Sequence, residues 1–95
     1  MYCKMTNFKH SGISAKLIKI LSNDHQIYQE VDGLQNIVYW KISDKEFYSI
    51  ETYKDKKSHD EKNLIIKNLI EDYISKYLVK LPRIVEGEIV WEYSK

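Results

Sequence analysis

Cysteine, proline and glycine are scarce in this chain of 95 residues, which contains one cysteine, one proline and three glycines. The single cysteine, Cys3, excludes an internal disulfide and fits a reducing compartment. So few glycines argue against a glycine-rich phosphate loop, and no G-x-S-x-G motif occurs. No run approaches the roughly 18 apolar residues of a membrane span, and the N-terminus lacks the apolar core of a signal peptide. We therefore expect a cytoplasmic protein without a cofactor.

Arginine and net charge are also low. Of the 15 basic residues only Arg83 is arginine, and the formal net charge is +1. This balance argues against a strong nucleic-acid binder and against an acidic nucleic-acid mimic. The excess of lysine, with abundant isoleucine, is typical of an AT-rich genome, such as that of a low-GC bacterium or one of its phages or plasmids. The 43% apolar and 31% charged content is that of a globular protein, with one domain over residues 1–95.

The clearest structural signal is a helix over residues 58–80. Ser58 and Glu61 have the spacing of a capping box, and Pro82 disfavours helical geometry at the residue before it. Apolar residues recur between them at three- and four-residue spacings, namely Ile66, Leu69, Ile70, Tyr73, Ile74, Tyr77 and Leu78. This apolar stripe is wide, so we expect a sheet or several helices to cover it.

The segment between residues 25 and 53 predicts antiparallel strands. Asp32-Gly33 lies between two runs rich in strand-forming residues, His25–Val31 and Leu34–Ile42, which is a strong hairpin signal. A second turn at Ser43–Lys45 precedes a third run, Glu46–Tyr53. These three runs read as a meander.

The flanking segments are less clear. Met1–His10 reads as a short edge strand or a tail. Ile13–Ser22 fits a helix begun at Ser14 and fits a strand equally well, and we favour the strand because a meander follows. Arg83–Lys95 predicts a final strand, with a bulge or turn at Gly87. The predicted fold is α+β: an antiparallel meander of about four or five strands packed on one long helix, followed by a last strand.

Register divides the predicted sheet into two faces. If both turns contain two residues, Ile42 lies opposite Phe47 and Tyr39 lies opposite Ile50. One face is then expected to meet the helix, and it carries Ile27, Val31, Leu34, Val38, Trp40, Ile42, Phe47 and Tyr53. The other face is left outside the two-layer sandwich, and it carries Tyr28, Ile37, Tyr39, Lys41, Tyr48 and Ile50.

The second face is the candidate binding site. A soluble monomer usually covers or uses an apolar patch of this kind, and tyrosine suits protein contacts. Two alternatives stay open: the patch is simply core, covered by the N-terminal segment, or a one-residue slip in register exchanges the two faces.

Candidate catalytic and metal-binding residues are dispersed. His10, His25 and His59 have no zinc-ligand spacing. Cys3 has no recognisable base, and Glu86 and Glu88 flank a glycine at an expected turn, where solvated edge charges are common. We therefore expect no enzyme and no metal site.

The preferred functional hypothesis is a small non-catalytic domain that binds another protein or forms a homodimer. A phage- or mobile-element-encoded inhibitor of a host protein and a small accessory subunit both fit this description. The alternative is a single-stranded nucleic-acid binder in which Tyr28, Tyr39 and Tyr48 stack bases beside Lys41. We expect no membrane association.

Overall fold

The computed structural model describes residues 1–12, 14–23 and 25–95, with the backbone alone for Ser14 and His25. In chain order the elements are β1 (Tyr2–Lys9), α1 (Ser14–Asn23), α2 (His25–Gln29), β2 (Leu34–Ser43), β3 (Glu46–Tyr53), α3 (Lys56–Leu69), α4 (Glu71–Tyr77) and β4 (Arg83–Glu88). Within these residues, four strands form one antiparallel sheet in the order β2-β3-β1-β4. The α+β class is therefore confirmed. None of the described helices is long and apolar enough to span a membrane.

The connectivity is not a meander. Only β2 and β3 are joined as a hairpin, and β1 lies between β3 and β4 in the interior of the sheet. Met1–His10 is thus neither an edge strand nor a tail. Every second side chain of β1 and β3 is buried, which shows that the helices cover one face of the sheet. The core beneath them contains Phe8, Leu17, Phe47, Ile70 and Tyr73.

The segment before β2 is helical. The strand predicted over Ile13–Ser22 is wrong, because α1 occupies residues 14–23, while Ile13 itself lies outside the described residues. Leu17 is buried in the core, and Ile20 and Leu21 pack against it, as helical spacing requires.

The predicted hairpin at Asp32-Gly33 is also wrong. Residues 25–29 form the short helix α2, and Asp24 before it lies outside the described residues. Gly33 has a positive φ of 84°, as a turn glycine should, but it joins a helix to β2 rather than a strand to a strand.

The long helix is two helices. It begins at Lys56, before the predicted Ser58, and α3 and α4 meet at Ile70, whose φ of −112° departs from helical geometry. Ile66, Ile70 and Tyr73 are buried on both sides of this break, so the bend keeps the apolar stripe in contact with the core. Glu71 and Asp72 lie in the first turn of α4, where the helix dipole favours negative charge, and they mark a new helix N-terminus. No glycine or proline stands at the break between α3 and α4.

The β2–β3 register differs from the predicted one by one residue. The turn at Asp44-Lys45 is present, but a bulge between Lys41 and Ser43 puts Lys41 opposite Phe47. Tyr39 therefore lies opposite buried Ser49 and faces the helices. The one-residue slip that the sequence left open has exchanged the two faces of β2.

The exchange reverses several predicted burials. Phe47 is buried as expected, whereas Val38, Trp40 and Ile42 are 46%, 38% and 57% exposed. They lie on the side of the sheet away from the helices because the bulge shifts the register of β2 by one residue. The last strand also ends early, since β4 stops at Glu88 and residues 89–95 belong to no strand.

The N-cap of α3 gives a stability prediction. Asp55, not Ser58, is the cap, and its carboxylate accepts a hydrogen bond of 2.7 Å from the Ser58 backbone N–H. This bond holds the pKa of Asp55 below its usual 3.8. We expect Asp55→Ala to lower the Tm by about 5 °C at pH 7, measured by thermal unfolding.

The cap effect should depend on pH in a defined direction. Because the folded-state pKa is depressed, the stabilisation is present above the unfolded-state pKa and disappears as pH falls through the folded-state value. Ser58→Ala is the control, since it keeps the backbone N–H that Asp55 binds. A Tm loss from Ser58→Ala together with no loss from Asp55→Ala would contradict the assignment of Asp55 as the cap.

Candidate active site

A buried charge pair lies on the sheet face beneath the helices. Lys4 of β1 and Glu51 of β3 are paired in register, are 8% and 4% exposed, and place Nζ and Oε2 4.0 Å apart. The Tyr53 hydroxyl donates a 2.6 Å hydrogen bond to Glu51 Oε1. Burial, and then this bond and the charge of Glu51, raise the pKa of Tyr53, which stays a neutral donor. A carboxylate held in this way out of water is a candidate for proton transfer.

A cavity of about 260 Å³ opens above this pair, and we call it the sheet–helix cavity. The sheet supplies a polar floor, while α3, α4 and the segment before β4 supply apolar walls. Its lining is Lys4, Thr6, Phe8, Tyr39, Glu51, Ile66, Lys67, Ile70, Ile74, Leu81, Pro82 and Ile84. This combination of apolar walls and a few polar groups is typical of small-molecule sites.

Tyr39 is fixed at one side of the cavity by aromatic contacts. Its ring centroid lies 6.5 Å from that of Phe8 and 6.3 Å from that of Phe47. Burial raises the pKa of Tyr39 well above its usual 10, and the neighbouring Glu51 carboxylate and Tyr28 phenol raise it further. The phenol is therefore neutral and can donate a hydrogen bond to a ligand at any physiological pH.

A second cavity, of about 530 Å³, lies between α1, α2 and β2, and we call it the α1–β2 cavity. Its lining is mostly apolar, with three carboxamides and no charged side chain among the described residues. The lining residues are Ile18, Leu21, Ser22, Tyr28, Gln29, Leu34, Gln35, Asn36, Ile37 and Tyr39. Tyr39 thus borders both cavities.

The six residues proposed from the sequence are not on one face. Ile37, Tyr39 and Lys41 lie on the helix-covered side of β2, because their partners on β3 are the buried Glu51, Ser49 and Phe47. Tyr28 is on α2 and lines the α1–β2 cavity with Ile37. Tyr48 and Ile50 lie on the opposite side of the sheet, because they alternate with the buried residues of β3.

The buried pair itself was missed by sequence reasoning. Lys4 lies in Met1–His10, where the spacing of the apolar residues indicated neither a helix nor a strand clearly. Glu51 lies in a strand that was predicted from its apolar residues alone. The signal that could have revealed the pair was the alternation of Lys4, Thr6 and Phe8 with Cys3 and Met5. In a strand, this alternation places Lys4 on the same face as Phe8.

The histidines and the remaining acids occupy other places. His10 is buried at the end of β1, where loss of solvation lowers its pKa, and the His25 side chain is outside the described residues. His59 contacts Asp60 at 2.9 Å and Glu86 at 3.4 Å. Over residues 1–12, 14–23 and 25–95, no group of three or more His, Cys, Asp or Glu residues is arranged to hold a metal ion.

Several solved structures share this backbone arrangement. SnoaB, a cofactor-independent oxygenase of Streptomyces nogalater, matches with a TM-score of 0.77 at 8% identity, covering 99% of this chain and 97% of its own. The monooxygenase ActVA-Orf6 of Streptomyces coelicolor, solved with nanaomycin D, matches at 0.74 and 13% identity, covering 99% and 91%. A dimeric ferredoxin-like protein from an uncultured marine organism matches at 0.75 and 16% identity, covering 99% and 91%.

These likenesses establish the fold. The chain has a ferredoxin-like fold, which it shares with proteins named antibiotic biosynthesis monooxygenases. No protein-family model matches the chain, and no curated protein matches its sequence.

The comparisons contradict the function predicted from the sequence. Several of the similar structures are named monooxygenases or oxygenases, which points to an enzyme rather than to an inhibitor, an accessory subunit or a nucleic-acid binder. The prediction of a non-catalytic protein-binding domain of phage or mobile-element type, its nucleic-acid alternative and the expectation of no enzyme are therefore wrong. The error has a physical origin, because the predicted register placed Tyr39 on an outer face, whereas its side chain lies on the helix-covered side and lines the sheet–helix and α1–β2 cavities.

The buried pair gives a second stability prediction. Lys4→Met leaves the Glu51 carboxylate buried without its cation, which should cost about 3–5 kcal/mol in the free energy of unfolding, measured by denaturant titration. The double variant Lys4→Met/Glu51→Gln removes both charges, keeps an acceptor for the Tyr53 hydroxyl and should recover most of that loss. If the effects of the two single substitutions simply add in the double variant, the two charges do not interact.

Proposed function

We propose that this protein is a monooxygenase that oxidises a small, largely apolar molecule in the sheet–helix cavity. The observation that carries the proposal is the buried Glu51 carboxylate, paired with Lys4 at the floor of an apolar cavity. The monooxygenases of the same fold support the reaction class. Because one of them is described as cofactor-independent, we propose that the substrate itself reduces oxygen.

The chemistry begins with removal of a proton. Glu51 is the proposed general base, taking a proton from an activated C–H group of the substrate. Lys4 and the neutral Tyr39 hydroxyl stabilise the negative charge that develops on the substrate oxygen conjugated with that carbon. The apolar walls, including Ile66 and Ile70, keep water away from the carbanion.

The reaction balances without an external reductant. A methylene group reacts with one O₂ to give a carbonyl group and one water, so that the methylene carbon supplies all four electrons. One oxygen atom enters the product and the other leaves in water, together with the two methylene hydrogens. A suitable substrate therefore has a CH₂ acidified by a conjugated carbonyl group.

Oxygen uptake with anthrone, a tricyclic ketone with such a methylene, tests this function. We expect Glu51→Gln to lower the enzyme-dependent rate by about 10²–10⁴-fold, because it removes the base but keeps the shape. Glu92→Gln, on the exposed C-terminal segment, is the matched control and should leave the rate unchanged. A Glu51→Gln protein as fast as the wild type would refute the role of Glu51, and no uptake above the uncatalysed rate with wild type would refute oxidation of this substrate class.

We also propose that the protein is a homodimer joined through the uncovered side of the sheet. This open face carries Met5, Val38, Trp40, Tyr48, Ile50 and Val85. Val38 is 46% and Val85 50% exposed, and the Trp40 and Tyr48 rings stack with centroids 5.4 Å apart. An apolar sheet face of this kind is usually covered by a partner, and one structure of the same fold is described as dimeric.

Light scattering on a size-exclusion column tests the dimer. We expect a dimer for the wild type and a monomer for Trp40→Glu, because the introduced carboxylate would be buried without a partner. Leu64→Glu is the control, since Leu64 is 58% exposed on α3 in the helical layer. The interface would be assigned elsewhere if Trp40→Glu stays dimeric while Leu64→Glu dissociates.

The single domain over residues 1–95 and the cytoplasmic location are kept as proposals. One cluster of buried residues joins β1, α1, β3 and α4, with Phe8, Leu17 and Tyr73 among its members, which supports one folding unit. Cys3 is a free thiol on β1, as is usual in a reducing compartment.

A further inference from the structure

We infer that the α1–β2 cavity binds the uncharged, oxygen-bearing end of the substrate whose reacting end occupies the sheet–helix cavity. The inference rests on the proposed function and adds a second subsite to it. Its starting point is Tyr39, because among the described residues only Tyr39 lines both of these cavities.

The volumes of the two cavities support a divided site. The sheet–helix cavity measures about 260 Å³, whereas small-molecule sites usually measure about 300–1,000 Å³. The reacting cavity alone is thus at the lower limit for a substrate. The α1–β2 cavity, at about 530 Å³, provides room for the rest of a larger molecule on the other side of Tyr39.

The two linings differ in charge. The sheet–helix cavity contains Lys4, Glu51 and Lys67, and the described lining of the α1–β2 cavity contains no charged side chain. Apolar residues such as Leu21 and Ile37 form much of its wall. An anionic group in this cavity would meet no cation among the described lining residues, while it would lose part of its hydration against the apolar wall.

Carboxamides give the α1–β2 cavity its polar character. Gln29, Gln35 and Asn36 can each donate and accept hydrogen bonds. Carbonyl and hydroxyl substituents use both kinds of partner without carrying charge. The cavity therefore selects a neutral ligand end bearing ketone or phenol groups and discriminates against carboxylates and sulfonates.

Tyr39 is suited to the junction of the two subsites. Its ring is held by Phe8 and Phe47, so its position does not depend on a ligand. Its neutral hydroxyl can bind an oxygen atom at the middle of a molecule that spans both cavities. Tyr39 would then contribute both to binding and to the reaction, while Asn36 contacts the neutral end of the substrate and Glu51 its reacting end.

Binding of two probes that are already oxidised tests the inference without turnover. The probes are a hydroxyanthraquinone and an anthraquinone sulfonate, titrated by NMR into the wild type and into Glu51→Gln. We expect the neutral probe to bind about tenfold more tightly or better, with shifts at Leu21 and Ile37 as well as at Ile66. Equal affinities, or shifts at Ile66 without any at Leu21 and Ile37, would overturn the second subsite.

A charge introduced into the cavity makes the test sharper. Asn36→Lys supplies the missing cation and should reverse the preference in favour of the sulfonate. Asn68→Lys adds the same charge on the exposed surface of α3 and should leave the preference unchanged. If both lysine variants shift the preference equally, the effect is one of overall charge and the subsite is wrong.

The two proposals fail in different ways. Oxygen uptake with anthrone together with indifference to probe charge would refute the subsite and leave the monooxygenase proposal standing. Selective binding of the neutral probe without any oxygen uptake would refute the proposed reaction and leave a binding site for neutral ligands.

Discussion

The bulge in β2 is the constraint on which both proposed surfaces depend. By shifting the pairing with β3 by one residue between Lys41 and Ser43, it turns Tyr39 toward the helices and Trp40 away from them. Without it, alternation along the strand would place the tryptophan beneath α1 and the tyrosine on the outer face. One unpaired residue, Ile42, thus decides which aromatic ring borders the cavities and which lies on the open face.

The two sides of the sheet both mix polar and apolar side chains. The covered side buries Lys4 and Glu51 beside Phe8 and Phe47, and the uncovered side carries Trp40 and Ile50 together with the hydrogen-bonded pair Asn7 and Glu46. A buried ion pair is seldom better for stability than packed hydrocarbon. The burial of Lys4 and Glu51 is therefore consistent with the proposed chemistry beneath the helices, because a cost in stability is common at active sites.

The sequence predicted some of this and missed the rest for identifiable reasons. The turn at Asp44-Lys45, the bounds of β3 and a helical region ending before Pro82 followed from local signals that the fold keeps. The bulge and the break at Ile70 have no local signature, since both accommodate packing between distant segments. Helix α1 was a real ambiguity, resolved only by the position of its apolar stripe over Phe47. Tyr39 was selected from the sequence for its aromatic area, but its position between two cavities depends on a register that propensities do not encode.

The close approach of Gly33 to α3 links the two halves of the site mechanically. A β-carbon at this position would collide with the side chain of Ser58, and the Gly33 carbonyl oxygen accepts a 2.7 Å hydrogen bond from the Lys54 backbone N–H. The loop that leads to Gln35 and Asn36 is therefore fastened to the start of the helix that forms a wall of the reacting cavity. Such a link restricts movement of the loop relative to α3, and it thereby fixes the spacing of the two subsites that one molecule would span.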